Sequence, residues 1–144
     1  MPHYEHTYPS VSDSEDQMLD EVMVILETNR ITDELRNHIL LAVSEAFTNA
    51  LVHGNRRDPH KEIKLILHIN ENDLSADIID QGQDGLERIE NRQPASVLSE
   101  GGRGVDIMQH YAADLRFTET PDSGLKVTLK FELTETKENI SHHT

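Results

Sequence analysis

Near Lys61 the hydrophobic period of the chain changes, and that change limits the fold more than any other feature. Upstream, Met18, Val22, Ile25 and Leu26 recur at helical spacing, and so do Ile39, Leu40, Val43, Ala46, Phe47 and Ala50. Downstream, Ile63, Leu65, Leu67 and Ile69 alternate, as do Leu74, Ala76 and Ile78, and then Val127, Leu129, Phe131 and Leu133. A period of about 3.6 belongs to a helix and one of about 2 to a half-buried strand. Two long helices followed by strands of this kind predict an α+β fold. It is a two-layer α/β sandwich in which helices cover one face of a mostly antiparallel sheet of four to five strands.

Local signals set the boundaries. The first helix starts at Ser14 and ends at Asn29-Arg30. Thr32 is the expected N-cap of the second, with Asp33 and Glu34 where the helix dipole favours acids. That helix is expected to run to about His53, with Gly54-Asn55 as a left-handed stop. Asn70 to Asp73 turns between two strands, residues 81–102 read as a long loop with a short helical turn, and "GVDIMQHYA" reads as a helix opening at glycines. "ADLRFTE" and "LKVTLKFEL" form a hairpin around "TPDSG". Residues 1–13 form an N-terminal segment in which "YEHTYPS" is a candidate edge strand, 14–134 form one domain, and 135–144 are a polar tail.

Charge narrows the function classes. Against 13 basic residues stand 27 acidic ones, a formal charge of −14, which opposes direct nucleic-acid binding and suits a partner with a basic face. No run is apolar enough to span a membrane, and no basic-then-apolar leader opens the chain. With 0 cysteines there is neither a disulfide framework nor a zinc–thiolate site, which suits a cytoplasmic location. The 9 histidines are scattered, with no HExxH motif.

One stretch breaks the apolar pattern. In "SEAFTNALVHGN", Glu45 and Asn49 lie one helical turn apart with Leu41, Ala42 and Val52 beside them, so the second helix is apolar nearly all round and is buried by more than the sheet. A carboxylate in such surroundings is costly to leave unpaired, and burial suits it to act as a general base. An amide one turn on offers oxygen to Mg²⁺, which takes few protein ligands when phosphates share it. The plainer alternative is a helix edge where Glu45 reaches water and Asn49 caps a neighbouring strand or loop. His53 continues that face, either as a further metal ligand or as a C-terminal histidine favoured by the dipole.

Two later segments complement it. "IIDQGQDG" ends an apolar strand in Asp80 and turns on Gly82, and "EGGRGVDIM" places glycines at a helix start, where bare backbone N–H groups and the dipole attract anionic oxygens. Arg103 between them is a counter-charge for phosphate. No GxxxxGK[ST] loop is present.

The order of these segments resembles the ATP-binding fold of gyrase, Hsp90, histidine kinases and MutL, the GHKL or Bergerat family, and most closely its small anti-sigma factor serine/threonine kinase branch. "AVSEAFTNALVHGN" resembles the N box, "DQGQDG" and "GGRGVDIM" the two glycine boxes, and "GLKVTLKF" the closing strand. The resemblance implies that Asn49 binds Mg²⁺ and that Glu45 activates the attacking hydroxyl. It implies that Asp80 accepts a hydrogen bond from the adenine amino group, that Gly82 and Gly85 shape the turn beside the purine, and that Thr128 supports that contact. Gly102 and Gly104 would cradle phosphates with Arg103 near the terminal one. ATP and Mg²⁺ are the implied cofactors. The implied partners are a sigma factor and an anti-anti-sigma antagonist protein, with a second copy of the chain as a homodimer partner.

One departure stands out. Asp84 occupies the second position of the Asp-x-Gly-x-Gly pattern and Gly85 comes one place late, so either the turn gains a residue or an acid faces the nucleotide. Three readings follow: a protein serine/threonine kinase that doubles as an anti-sigma factor, a binding module of the same fold that has lost ATP, and an orphaned histidine-kinase catalytic domain.

Overall fold

The structure, a computed structural model, describes residues 3–90 and 100–133, without the side chains at 88 and 100–103. Strand β1 (His3–Pro9) precedes helices α1 (Asp13–Thr28) and α2 (Asp33–Thr48), and a π-helical turn, Asn49–Gly54, continues α2. Strands β2 (Glu62–Ile69) and β3 (Asp73–Ile79), helices α3 (Gly85–Glu90) and α4 (Glu100–Tyr111), and strands β4 (Asp114–Glu119) and β5 (Leu125–Glu132) follow.

The strands form one sheet in the order β1-β2-β3-β5-β4, every neighbouring pair antiparallel. This is the expected α+β sandwich, with the candidate N-terminal strand as its fifth member at the edge. Alternation decides which face is covered. Ile63, Leu65 and Leu67 of β2, Leu74, Ala76 and Ile78 of β3, and Val127, Leu129 and Phe131 of β5 are buried against the helices. Met18, Val22 and Leu26 of α1, Ile39, Val43 and Phe47 of α2, and Val105 and Met108 of α4 complete that core. Helix α2 lies at its centre, touching α1, α4, β3 and β5, which is why its apolar residues run nearly all round it. No helix among the described residues is long and apolar enough to cross a membrane.

Three boundaries differ from the sequence expectation. The second α-helix stops at Thr48, and a π-helical turn carries the chain from Asn49 to Gly54, with Asn55 N–H bonded to the Ala50 carbonyl at 2.8 Å. A wheel of fixed angle therefore misplaces everything after Asn49. The stop at Gly54-Asn55 is not left-handed: Asn55 has φ −83°, and the left-handed residues are Arg56 (φ 53°) and Arg57 (φ 58°). Helix α4 begins at Glu100, so the glycines after it lie within its first turn instead of in a loop before it. Thr32 does stand at the α2 N-cap with extended backbone, but its side chain makes no capping bond. The expected polar tail, 135–144, and residues 91–99 of the long loop lie outside the described residues.

Candidate functional site

Two polar pairs on α2 face in different directions. Ser44 and Thr48 turn toward α1, where Glu15 Oε1 accepts a hydrogen bond from each hydroxyl, at 3.1 Å and 2.7 Å. Glu45 and Asn49, one position on in each case, belong to the α4 side. The carboxylate of Glu45 sits against the first turn of α4, its Oε2 only 3.1 Å from the point where a Cβ on Gly104 would lie. Gly104 thus lets α4 approach the acid closely. One turn further along, Asn49 is 6% exposed, and its Nδ2 has no hydrogen-bond partner among the described residues. A buried donor left unmade costs about 1–3 kcal/mol. Its position, where α-helix passes into π-helix, is one that recurs at functional sites.

The second half of the site gathers around Asp80, 4% exposed, just beyond the end of β3. Its Oδ1 accepts hydrogen bonds from the backbone N–H of Gly82 at 2.9 Å and of Leu125 at 3.0 Å, which tie the turn after β3 to the start of β5. Three glycines let the backbones close on it. A Cβ on Gly54 would fall 2.1 Å from Asp80 Oδ2, one on Gly82 2.2 Å from the Gly54 carbonyl oxygen, and one on Gly124 2.2 Å from the Asp80 carbonyl oxygen. Real Cβ contacts are never so short, so all three positions require glycine for close approach. The π turn that carries Asn49 therefore ends directly on the Asp80 turn.

Sequence reasoning missed the residue that fastens these parts. Asn55 is fully buried; its Nδ2 donates to Ser10 Oγ at 2.7 Å and to the Glu62 carbonyl at 2.9 Å, while its Oδ1 accepts from the Gln81 N–H at 2.7 Å. It joins the chain after β1, the start of β2 and the Asp80 turn. Nothing in its local sequence distinguishes it from a helix-stop asparagine; only the long-range partners reveal it.

The remaining expected residues fall as follows. Gly85 opens α3, with Leu125 Cβ 3.0 Å from where its own Cβ would be. Asp84, just before it, is exposed and left-handed at φ 59°, a conformation that Asp tolerates better than most side chains. It supplies the bend itself, and its side chain is turned to solvent. The backbones of Gly102 and Arg103 lie in the first turn of α4, and the Arg103 side chain is outside the described residues. His53 stands in the last turn of the π segment, and no group of three or more metal-ligating side chains forms among the described residues. Thr128 does not join the site: it lies on the sheet face opposite the core, and its Oγ1 donates to Asp77 Oδ1 at 2.7 Å. The alternation that buries Val127 and Leu129 necessarily turns Thr128 away.

A magnesium-nucleotide group fits these residues on two observations. Asn49 keeps a buried amide without a partner among the described residues, and the Asp80 turn is lined by glycines that hold backbone close to a carboxylate. Fold and site together define a class, the two-layer GHKL type of ATP-binding domain. Within it, the chain belongs to the histidine kinase-like ATPase domain family, whose model matches residues 9–131. An anti-sigma F factor of Shouchella clausii is 33% identical over 110 residues, covering 74% of this chain and 75% of that protein. Two solved structures share the fold. The RsbU and RsbW domains of Rv1364c from Mycobacterium tuberculosis match 91% of this chain at TM-score 0.67 and 16% identity, and the match spans 32% of that longer chain. A chain of the SiaB–SiaC complex from Pseudomonas aeruginosa matches 90% at TM-score 0.59 and 14% identity, over 89% of its own length.

Proposed function

We propose that this chain is an ATP-dependent protein serine/threonine kinase. It acts as an anti-sigma factor in a bacterial partner-switching system and phosphorylates a small antagonist protein. The observation that carries the reading is the pairing on one side of α2: a carboxylate seated on the opening turn of α4, and a buried amide lacking a partner among the described residues one turn away. The name of a similar protein, anti-sigma F factor, supports a sigma factor as one partner class, and the resemblance to the small kinase branch of the family adds the antagonist protein.

Bound Mg-ATP would supply the phosphoryl group. Asp80 would accept the adenine amino hydrogen, with Gly82 letting the base lie against the backbone, Gly54 and Gly124 holding the neighbouring backbones close to Asp80, and Gly85 setting the turn that follows. Asn49 would hold Mg²⁺ through its amide oxygen. The backbone at Gly102 and Gly104 would face phosphate oxygens with the dipole of α4 behind it, and Arg103 would add its charge. Glu45 would take the proton of the acceptor serine hydroxyl. Chemistry of this kind is mostly positioning and charge stabilisation, so one base, one amide and one helix start suffice. The exposed edge of β1 is the surface this reading offers to a second copy.

The binding-module reading drew its motive from Asp84 and from the strongly acidic surface; Asp84 is exposed and forms the left-handed bend before α3. The test is phosphoryl transfer from Mg-ATP to a cognate antagonist carrying the acceptor serine. Glu45→Ala is expected to lower the transfer rate by about 10²–10⁴-fold, the usual worth of a positioned base, while nucleotide binding persists. Transfer at the wild-type rate would remove Glu45 from this role.

A further inference from the structure

On the face of the sheet that no helix covers, His3 of β1 stands directly across from His68 of β2. Both side chains are exposed, because Tyr8 in β1 and Leu65 and Leu67 in β2 take the alternate positions that point into the core. The two rings converge. Their centroids are 4.5 Å apart, tilted by 60°, and Nδ1 of one lies 3.1 Å from Nδ1 of the other. At that distance the rings share a single hydrogen, donated by one nitrogen and accepted by its neighbour.

The same separation is what one cation shared by two imidazoles requires. Metal–nitrogen bonds of about 2.0–2.1 Å place two ligand nitrogens roughly 3.3 Å apart at a tetrahedral angle and roughly 2.9 Å apart at a right angle. The observed 3.1 Å falls between these. Continuous antiparallel pairing, from His3↔His68 to Pro9↔Glu62, fixes both backbones before any ligand arrives. The neighbouring ammonium groups on this face are engaged, Lys64 toward Glu5 at 4.0 Å and Lys130 with Asp73 at 3.5 Å. The formal charge of −14 also favours cations over the whole surface.

We propose that His3 and His68 form a cross-strand site for a borderline divalent cation of the zinc, nickel and copper class, separate from the nucleotide cleft. Imidazole nitrogen suits these ions, whereas magnesium and calcium select oxygen. Among the described residues no third metal-ligating side chain joins the pair, so the other coordination positions are open to water. A bound ion takes the place of the shared hydrogen, which moves to Nε2 of its own ring so that both Nδ1 lone pairs face the metal, and fastens the start of β1 to β2.

The test is a calorimetric titration of Zn²⁺ into the full chain, free of any affinity tag and without nucleotide. It is run on wild type, His3→Ala, His68→Ala, the loop control His60→Ala and the tail control His142→Ala/His143→Ala. One zinc equivalent should bind to wild type and to both controls, and be weakened more than about tenfold in each of the two strand variants. Mg²⁺ in place of Zn²⁺ should leave the strand pair unoccupied. Circular dichroism keeps the test sound, since both side chains are exposed and the variants should stay folded. Zinc binding that survives His3→Ala and His68→Ala, that disappears with the tail histidines, or that is absent in wild type at millimolar Zn²⁺ would overturn the proposal.

Discussion

Ser44/Thr48 and Glu45/Asn49 are neighbouring pairs on one helix with the same four-residue spacing, and they meet opposite fates. The first pair is satisfied within the fold, both hydroxyls bonding to Glu15 across the α1–α2 seam. The second faces α4, where Glu45 rests on a glycine-bearing turn and the Asn49 amide stays buried with no partner among the described residues. One seam is finished by folding alone. On the other, Asn49 Nδ2 has no partner among the described residues, and the proposed nucleotide site lies on that side.

The largest expected effect comes from filling the turn that closes the unfinished side. Gly82→Ala places a Cβ 2.2 Å from the Gly54 carbonyl oxygen, a backbone atom that cannot swing away. Overpacking of this kind costs about 2–3 kcal/mol, read as a lower urea midpoint at unchanged slope. The variant should also lose nucleotide affinity. A neutral result would mean that the glycines around Asp80 do not hold the cleft.

The finished seam should behave differently. Glu15→Ala removes the acceptor for two hydroxyls and is expected to cost about 1–2 kcal/mol in the same urea experiment. Mg-ATP binding should be unchanged, because nothing on the α1 side belongs to the cleft. If affinity fell with stability, the two sides of α2 would not be separable.

How far these fates could be read in advance depended on the residue. The strands were legible because their period-two burial is written directly in Ile63, Leu65, Leu67 and Ile69 and in Val127, Leu129 and Phe131. That Glu45 and Asn49 share a side also followed from their spacing, since Asn49, although it opens the π turn, keeps α-helical backbone angles (φ −60°, ψ −43°). What Ser44 and Thr48 do did not follow, because Glu15 lies far away in sequence. The glycines were misread in an instructive way. Among the described residues no glycine has positive φ; Arg30, Arg56, Arg57, Asp84 and Ser123 carry the left-handed conformations, while Gly54, Gly82 and Gly124 serve close approach around Asp80. A glycine in a sequence does not say which of its two uses applies. Thr128 shows the reverse error, since its resemblance suggested a role that strand alternation forbids.

The smallest expected effect lies where β1 meets α1. Burial raises the pKa of the Tyr8 hydroxyl well above its ordinary value of 10.0; the hydrogen bond it donates to Glu21 and the charge of that carboxylate raise it further. A raised folded-state value means that Tyr8 stabilises the fold fully below pH 10.0 and progressively less as pH climbs beyond it, where the unfolded chain ionises first. Tyr8→Phe should therefore flatten the alkaline fall in stability while leaving nucleotide binding at neutral pH as it was. An alkaline profile identical to wild type would show that the hydroxyl is not held in the folded state.

Asn49→Ala tests the asymmetry itself, through Mg-ATP calorimetry paired with thermal unfolding of the same samples. The expectation is a saturable 1:1 isotherm for wild type and its loss in the variant, with an unfolding midpoint in the nucleotide-free variant no lower than wild type, because Asn49 Nδ2 has no partner among the described residues. Equal Mg-ATP affinity in both proteins, or a wild type that binds none, would contradict it.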